Sequence, residues 1–251
     1  GGGFSFKRGY YIEKYDSDLK LLKTKEYDMT YDTSKKYSTV LGMFNDGETL
    51  HIVELHFDIK IDAYVCTAHN IDINDFESQK QELFKLTVPE MKQYGYLILR
   101  ELFFDRSYNI MQSNHPGGSF IYAKGPSDLF TWKTAMEQSN NGNGISIAVN
   151  ADKSAFAIAL DLSSKKSETL KIFLFDKKCR TISQQYFQPG LKDKKFVYQS
   201  LTVAQDGKTA YLLGKAYTKA SKDKTEGGKY EYQLTAFNAE GQQTQNFGTD
   251  E

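Results

Sequence analysis

The chain has 251 residues, and its 32 basic and 32 acidic side chains give a formal net charge of zero. This balance argues against a general nucleic-acid binder or an anionic-membrane binder, because either needs a basic field. Seventeen Tyr and seventeen Phe against four Pro favour a protein built of β-strands, and no stretch of the sequence is long and apolar enough to span a membrane.

The first predicted element is a hairpin over residues 5–30, and a strand, a turn and a second strand follow around Asp46 and Gly47. The same pattern returns around Asp152 and Asp206, at separations of 106 and then 54 residues. These separations are multiples of a period of about 53 residues, which indicates an internal repeat. An Asp-Gly or Asn-Gly pair supplies the positive φ of a two-residue hairpin turn, and we expect that turn in each copy.

A second motif has the same period. Apolar runs end at Asp16, Asn70, Asp176 and Asn238, at separations of 54, 106 and 62 residues. We place the extra residues of the last interval in the polar segment 219–229. Two motifs that share one period predict a repeating unit of two antiparallel hairpins, which is four strands.

The units have predicted boundaries along the chain. An incomplete first unit is followed by four further units and one insertion, which is either a short helix or an added strand. The first unit lacks its inner hairpin, so we expect the remainder of a longer chain, or a partner, to complete the assembly. The predicted ranges are 5–30 for the incomplete unit, about 38–87, 107–140, 144–188 and 196–248 for the others, and 88–106 for the insertion.

A strand, a turn such as Asp206-Gly207-Lys208, a second strand and a second hairpin resemble the blades of bacterial β-propellers with WD40-like or TolB-like repeats. The resemblance implies an all-β fold: a β-propeller of four-stranded antiparallel blades, four to five in number and incomplete as a ring. The Trp-Asp dipeptide of WD40 blades is absent from the sequence. Such a fold does not by itself determine a function.

Residues that could carry chemistry form no catalytic or metal-binding motif, so we predict no catalytic residue, no metal site and no cofactor. The four His residues lack a ligand spacing. The segment from His69 to Glu77 has oxygen-bearing side chains at alternate positions, but it lacks the Gly of a calcium loop and is interpreted as a polar turn. Cys66 and Cys179 lie in strand-like runs and are interpreted as two unpaired buried thiols, with a disulfide as the alternative.

We interpret the chain as a non-catalytic binding or scaffold module that recognises a protein, a peptide or a glycan through its loops. Repeat folds present loops on one shared surface, and long loops commonly carry recognition. The candidate ligand-binding residues are Tyr94, Arg100 and Trp132, in or near the inserted segment.

Two alternatives stay open. One is an accessory domain of a longer enzyme. The other is a hydrolase or lyase whose residues converge from several blades, with Glu54, Asp58, Asp62 and Arg100 as candidates. The Lys-, Asn- and Tyr-rich composition, with the trimmed-looking start Gly1–Gly3, favours an exported bacterial protein, periplasmic or extracellular, while a cytoplasmic location also stays open.

Overall fold

The computed structural model describes residues 8–29, 35–87, 109–115, 118–124, 145–162, 168–191, 195–217 and 230–248. Every regular element in these ranges is a β-strand, and every strand pair is antiparallel. The predicted insertion at 88–106 lies outside the described residues.

The strands form four sheets, here named A to D. Sheet A is a hairpin of two strands, β1 (Arg8–Tyr15) and β2 (Leu21–Met29). Sheet B is a four-stranded meander of β3 (Lys35–Asn45), β4 (Thr49–Asp58), β5 (Ala63–Asp72) and β6 (Ser78–Thr87). Sheet D is a second meander of β13 (Phe196–Val203), β14 (Ala210–Tyr217), β15 (Tyr230–Asn238) and β16 (Gly241–Gly248).

Sheet C has six strands in the spatial order β12-β11-β10-β9-β8-β7. Its last four strands along the chain form a meander like those of sheets B and D, and β8 adds to that meander by pairing Ser119 with Ile147 of β9. The strands are β7 (Asn109–His115), β8 (Gly118–Lys124), β9 (Ile145–Val149), β10 (Ala155–Asp161), β11 (Leu170–Asp176) and β12 (Thr181–Phe187).

These four-stranded antiparallel meanders confirm the expected fold class, since they have the strand order of propeller blades, and the described strands do not close into a ring. The sheets stack face to face in the order A, B, C, D. Alternate residues of a strand project to opposite faces, so β4 contributes Val53 and Leu55 to the core shared with sheet C, and Ile52 to the smaller cluster shared with sheet A. The B–C core includes Phe84 stacked on Phe173 at a centroid distance of 4.0 Å.

Not every inner hairpin turn has the two-residue length that the repeat predicts. The first turn matches, with Gly47 at φ 99° as the first of its two residues. The second and third turns have four residues, 151–154 and 205–208, each closed by a main-chain hydrogen bond across its ends. The two-residue prediction is wrong for these copies because the positive φ falls on the third turn residue, Lys153 in one and Gly207 in the other.

The outer hairpin turns differ in length but share a residue with positive φ. A residue with positive φ follows three or four positions after the Asp or Asn that begins the turn; these residues are Leu19, Phe76, Cys179 and Gly241. Two predicted details are therefore wrong. The second outer turn begins at Asp72 and not at Asn70, which is inside β5. Cys179 lies in a turn and not in a strand, although both thiols are free and buried as expected.

Candidate functional site

The edge of β1 is the feature that distinguishes sheet A from the other sheets. The shared outer turn makes β1 the equivalent of β5, β11 and β15, and each of those strands pairs with a neighbour on both sides. Within the described residues β1 pairs with β2 alone. Within the described ranges, the second edge of β1 is thus unpaired at the place where sheets B and D have two inner strands.

A cleft of about 380 Å³ lies beside this edge. One wall comes from β1 and the other from the inner strands of sheet B. The lining residues are Tyr11, Ile12, Glu13, Met43, Phe44, Leu50 and Ile52.

The cleft has a buried floor and an exposed rim. Ile52 is 1% exposed and belongs to the cluster beneath sheet A, whereas Tyr11 and Met43 are 68% and 66% exposed. A large apolar side chain that reaches water beside others of its kind marks a surface suited to binding. The charged residue of the lining is Glu13. Its carboxylate accepts a 2.6 Å hydrogen bond from the Tyr15 hydroxyl, and this bond raises the pKa of Tyr15.

Sheet A is fixed to sheet B through the turn after β5. Lys14 donates to the main-chain oxygen of Ile73 at 3.3 Å, and Lys23 donates to that of Asp75 at 2.6 Å. The Lys25 ammonium and the Tyr27 hydroxyl both donate to the oxygen of Phe76, at 2.6 and 2.7 Å. These bonds hold the hairpin by its inward side chains and leave the free edge of β1 beside the cleft.

Several oxygen atoms of the acidic segment ending at Glu77 already accept hydrogen bonds. Asp72 accepts hydrogen bonds from the main chain of Asn74 and Asp75, and Asp75 accepts one from Glu77. The main-chain oxygens that a cation would need accept hydrogen bonds from the Lys and Tyr side chains of sheet A. No group of three His, Cys, Asp or Glu residues in the described part of the chain could hold a metal ion.

A buried polar network lies between sheets B and C. His51, 2% exposed, places Nδ1 2.9 Å from the Asn70 side-chain oxygen and Nε2 3.4 Å from the Asp46 carboxylate. The Cys179 thiol lies 3.5 Å from the same Asn70 oxygen. Cys, His and Asn together suggest a thiol protease, but burial raises the pKa of Cys179 to about 11, and its thiol contacts Asn70 rather than the imidazole. The network therefore joins sheets and does not form a nucleophile.

A second ionisable pair lies on the face of sheet B that is turned towards sheet A. His69 Nε2 is 2.7 Å from the Glu54 carboxylate, and Glu54 is 7% exposed. A carboxylate that orients an imidazole is also a component of general-base sites. Among the described residues the hydrogen-bond partner of His69 is Glu54, a carboxylate and not a nucleophilic hydroxyl or thiol.

The predicted ligand-binding residues Tyr94, Arg100 and Trp132 lie outside the described residues. Of the acids proposed to converge in an enzyme, Glu54 is held by His69, Asp58 accepts a hydrogen bond from the main chain of Lys60, and Asp62 is in the β4–β5 turn. The residues of the cleft were not found from the sequence. A partial signal was the hairpin predicted over residues 5–30, because its first strand is β1.

No family model matches the chain, and no curated protein matches it. Among solved structures, hydrazine synthase of Kuenenia stuttgartiensis is similar over 84% of this chain and 67% of that chain, at 10% sequence identity and a TM-score of 0.29. At so low a TM-score the fold class rests on the strand pairing of this chain. Within the described residues, no helix is long and apolar enough to cross a membrane.

Proposed function

We propose that this chain is a non-catalytic binding module that accepts an extended segment of a partner polypeptide along the free edge of β1. An edge strand recognises such a segment by extending the sheet: main-chain hydrogen bonds give affinity, and pockets for alternate side chains give specificity. The observation that carries the proposal is the coincidence of this edge with the apolar cleft. Either feature alone would be weaker support.

The cleft supports an apolar anchor residue on the partner. Its volume of about 380 Å³ is in the range of small-ligand pockets, and its floor of Ile52 and Phe44 is apolar. Glu13 at the rim favours a basic residue near that anchor. The partner segment is therefore an extended strand with one bulky apolar side chain and a nearby Lys or Arg.

A binding role fits the remaining ionisable groups, since the buried network around His51 and the pair of Glu54 with His69 are both held by neighbouring strands. The alternative of a hydrolase or lyase would require a substrate group to reach His69 and a nucleophile to approach it.

Selection from a phage-displayed random peptide library tests the proposal. We expect enriched peptides to share an apolar residue beside a basic one, and to lose at least tenfold in affinity when the chain carries Met43→Lys or Tyr11→Lys. Both residues are largely exposed, so neither change should unfold the chain.

Ile61→Lys is the matched control, because Ile61 is an exposed apolar residue in the β4–β5 turn, outside the cleft lining. The proposal is wrong if no peptide is enriched, if affinity falls equally in the control, or if a glycan array yields ligands and the peptide library does not.

A further inference from the structure

One hydrogen bond recurs at all three junctions between neighbouring sheets. A long side chain on the outermost strand of one sheet donates to the main-chain oxygen of the positive-φ residue in the outer turn of the next sheet. The donors and acceptors are Lys25 and Phe76, Gln81 and Cys179, and Gln185 and Gly241, at 2.6, 2.9 and 3.0 Å.

The donors occupy one position of the repeat. Each lies opposite a residue four positions before the Asp or Asn that begins the outer turn of its own sheet: Ile12 opposite Lys25, Ala68 opposite Gln81, and Ile172 opposite Gln185. In sheet D that turn begins at Asn238, so the rule selects Leu234 and, opposite it, Gln245.

Gln245 lies on sheet D, the last sheet of the stack in the described part of the chain. Its side chain is exposed on β16, and its cross-strand partners Leu234 and Leu213 are half-buried on the same face. Phe247, two residues further along this face, is 43% exposed. The opposite face of sheet D packs on sheet C through Leu212 and other apolar residues. Sheet D thus presents a hydrogen-bond donor and apolar side chains like those with which sheets A, B and C each contact the following sheet.

The matching acceptor lies at the other end of the stack. Leu19 has the positive φ of the outer turn, 60°, and its side chain is 81% exposed, whereas the equivalent Phe76 and Cys179 are each 2% exposed beneath the preceding sheet. Leu21 and Leu22, next to this turn, are 46% and 56% exposed. Both halves of a fourth junction are therefore present in one chain, at opposite ends.

We propose that sheet D of one copy of this chain docks on the outer turn of sheet A of a second copy, with Gln245 donating to the main-chain oxygen of Leu19. The two patches differ, so the contact is heterologous, and its repetition produces a closed ring or a filament of copies. The geometry repeats the three junctions within the chain. The proposal does not depend on peptide binding at the edge of β1.

Disulfide trapping between two single variants tests this contact. The Leu19→Cys variant and the Gln245→Cys variant are mixed and oxidised, and the products are separated on a non-reducing gel. We expect the mixture to give several times more covalent dimer than either variant alone. The native Cys66 and Cys179 are buried, so the unsubstituted chain should give none.

Asn246→Cys is the matched control, because Asn246 is the exposed neighbour of Gln245 and projects from the opposite face of β16. Sedimentation of the unsubstituted chain should show association that Leu19→Lys abolishes. A chain that stays monomeric over the accessible concentration range overturns the proposal. So does cross-linking that is equal for Gln245→Cys and Asn246→Cys, or that occurs within one variant alone.

Discussion

The side-chain amide of Gln81 donates a 2.9 Å hydrogen bond to the main-chain oxygen of Cys179, which lies 98 residues further along the chain. The bond joins the outermost strand of sheet B to the outer turn of sheet C. Cys179 is 2% exposed, so its main-chain oxygen has little access to water as a substitute partner. The same type of contact is repeated at each junction between neighbouring sheets.

Replacing the donor should destabilise the stack. Gln81→Ala leaves the oxygen of Cys179 without that donor, and we expect the free energy of unfolding in urea to fall by about 1–2 kcal/mol. Gln79→Ala is the control, since Gln79 is exposed on the same strand. Equal effects of the two substitutions would show that the bond between the sheets contributes nothing specific.

Gly214 should not tolerate a larger residue. A Cβ at this position would overlap the ring of Phe196, a 1%-exposed residue in the core between sheets C and D. Gly214→Ala should therefore lower the free energy of unfolding by about 1–3 kcal/mol through overpacking, measured by urea or thermal denaturation. Gly248→Ala should be nearly neutral, because nothing lies within 4 Å of its added Cβ.

The architecture was predictable from the sequence because each repeated hairpin pairs residues that are close along the chain. Asp46, Asp152 and Asp206 mark inner hairpins whose residues are close along the chain, and alternating apolar residues identify the flanking strands. Turn lengths were less predictable, since the positive φ at Lys153 is adopted by a residue that no turn rule favours. The addition of β8 to β9 joins residues separated by a long segment, and local patterns do not encode such pairing.

The two thiols should be inert until the protein unfolds. Burial raises the pKa of Cys66 well above its ordinary value and that of Cys179 to about 11, so both stay protonated near neutral pH. We expect no labelling by iodoacetamide at pH 8 in native buffer and two labels in denaturant, counted by mass spectrometry. Rapid native labelling of Cys179 would contradict the packing of its turn on sheet B.

Asp46 should make the free energy of unfolding depend on pH in the acid range. Burial alone would raise the pKa of this carboxyl, but the main-chain donors of Glu48 and Thr49 and the His51 ring together lower it from 3.8. A lowered folded-state pKa gives stability that is present above the unfolded value and is lost as the pH falls through the folded value.

Asp46→Asn should therefore cost about 1–2 kcal/mol at neutral pH, and the cost should shrink below pH 3.8. Urea unfolding of both chains across this range measures the difference. A cost that is constant with pH would mean that the charge of Asp46 has no part in closing the turn.

The candidate site was harder to predict from the sequence than the fold was. Tyr11 and Met43 belong to different sheets, and strand alternation alone does not indicate that they line one cleft. The hairpin that contains β1 was predicted, because the outer motif ends at Asp16. The lysines that hold the hairpin were not identifiable, since Lys23 and Lys25 look like ordinary surface residues until their acceptors are known.

Sheet A should loosen when one of these lysines is replaced. Lys25→Met removes the donor to Phe76 while keeping most of the apolar stem, and we expect faster amide hydrogen exchange throughout β1 and β2 with little change in sheet D. Glu26→Gln is the control, because Glu26 is the exposed neighbour on the opposite face. Equal exchange in the two variants would mean that apolar packing alone holds the hairpin.

Amide hydrogen exchange along β1 tests the proposed binding mode most directly. In the isolated chain, amides of β1 should exchange much faster than those of the equivalent β5, which is paired on both sides. A saturating selected peptide should then protect β1 and leave β5 unchanged. Protection of β1 equal to that of β5 without any peptide would show that the edge is already covered, and would contradict a strand-accepting site.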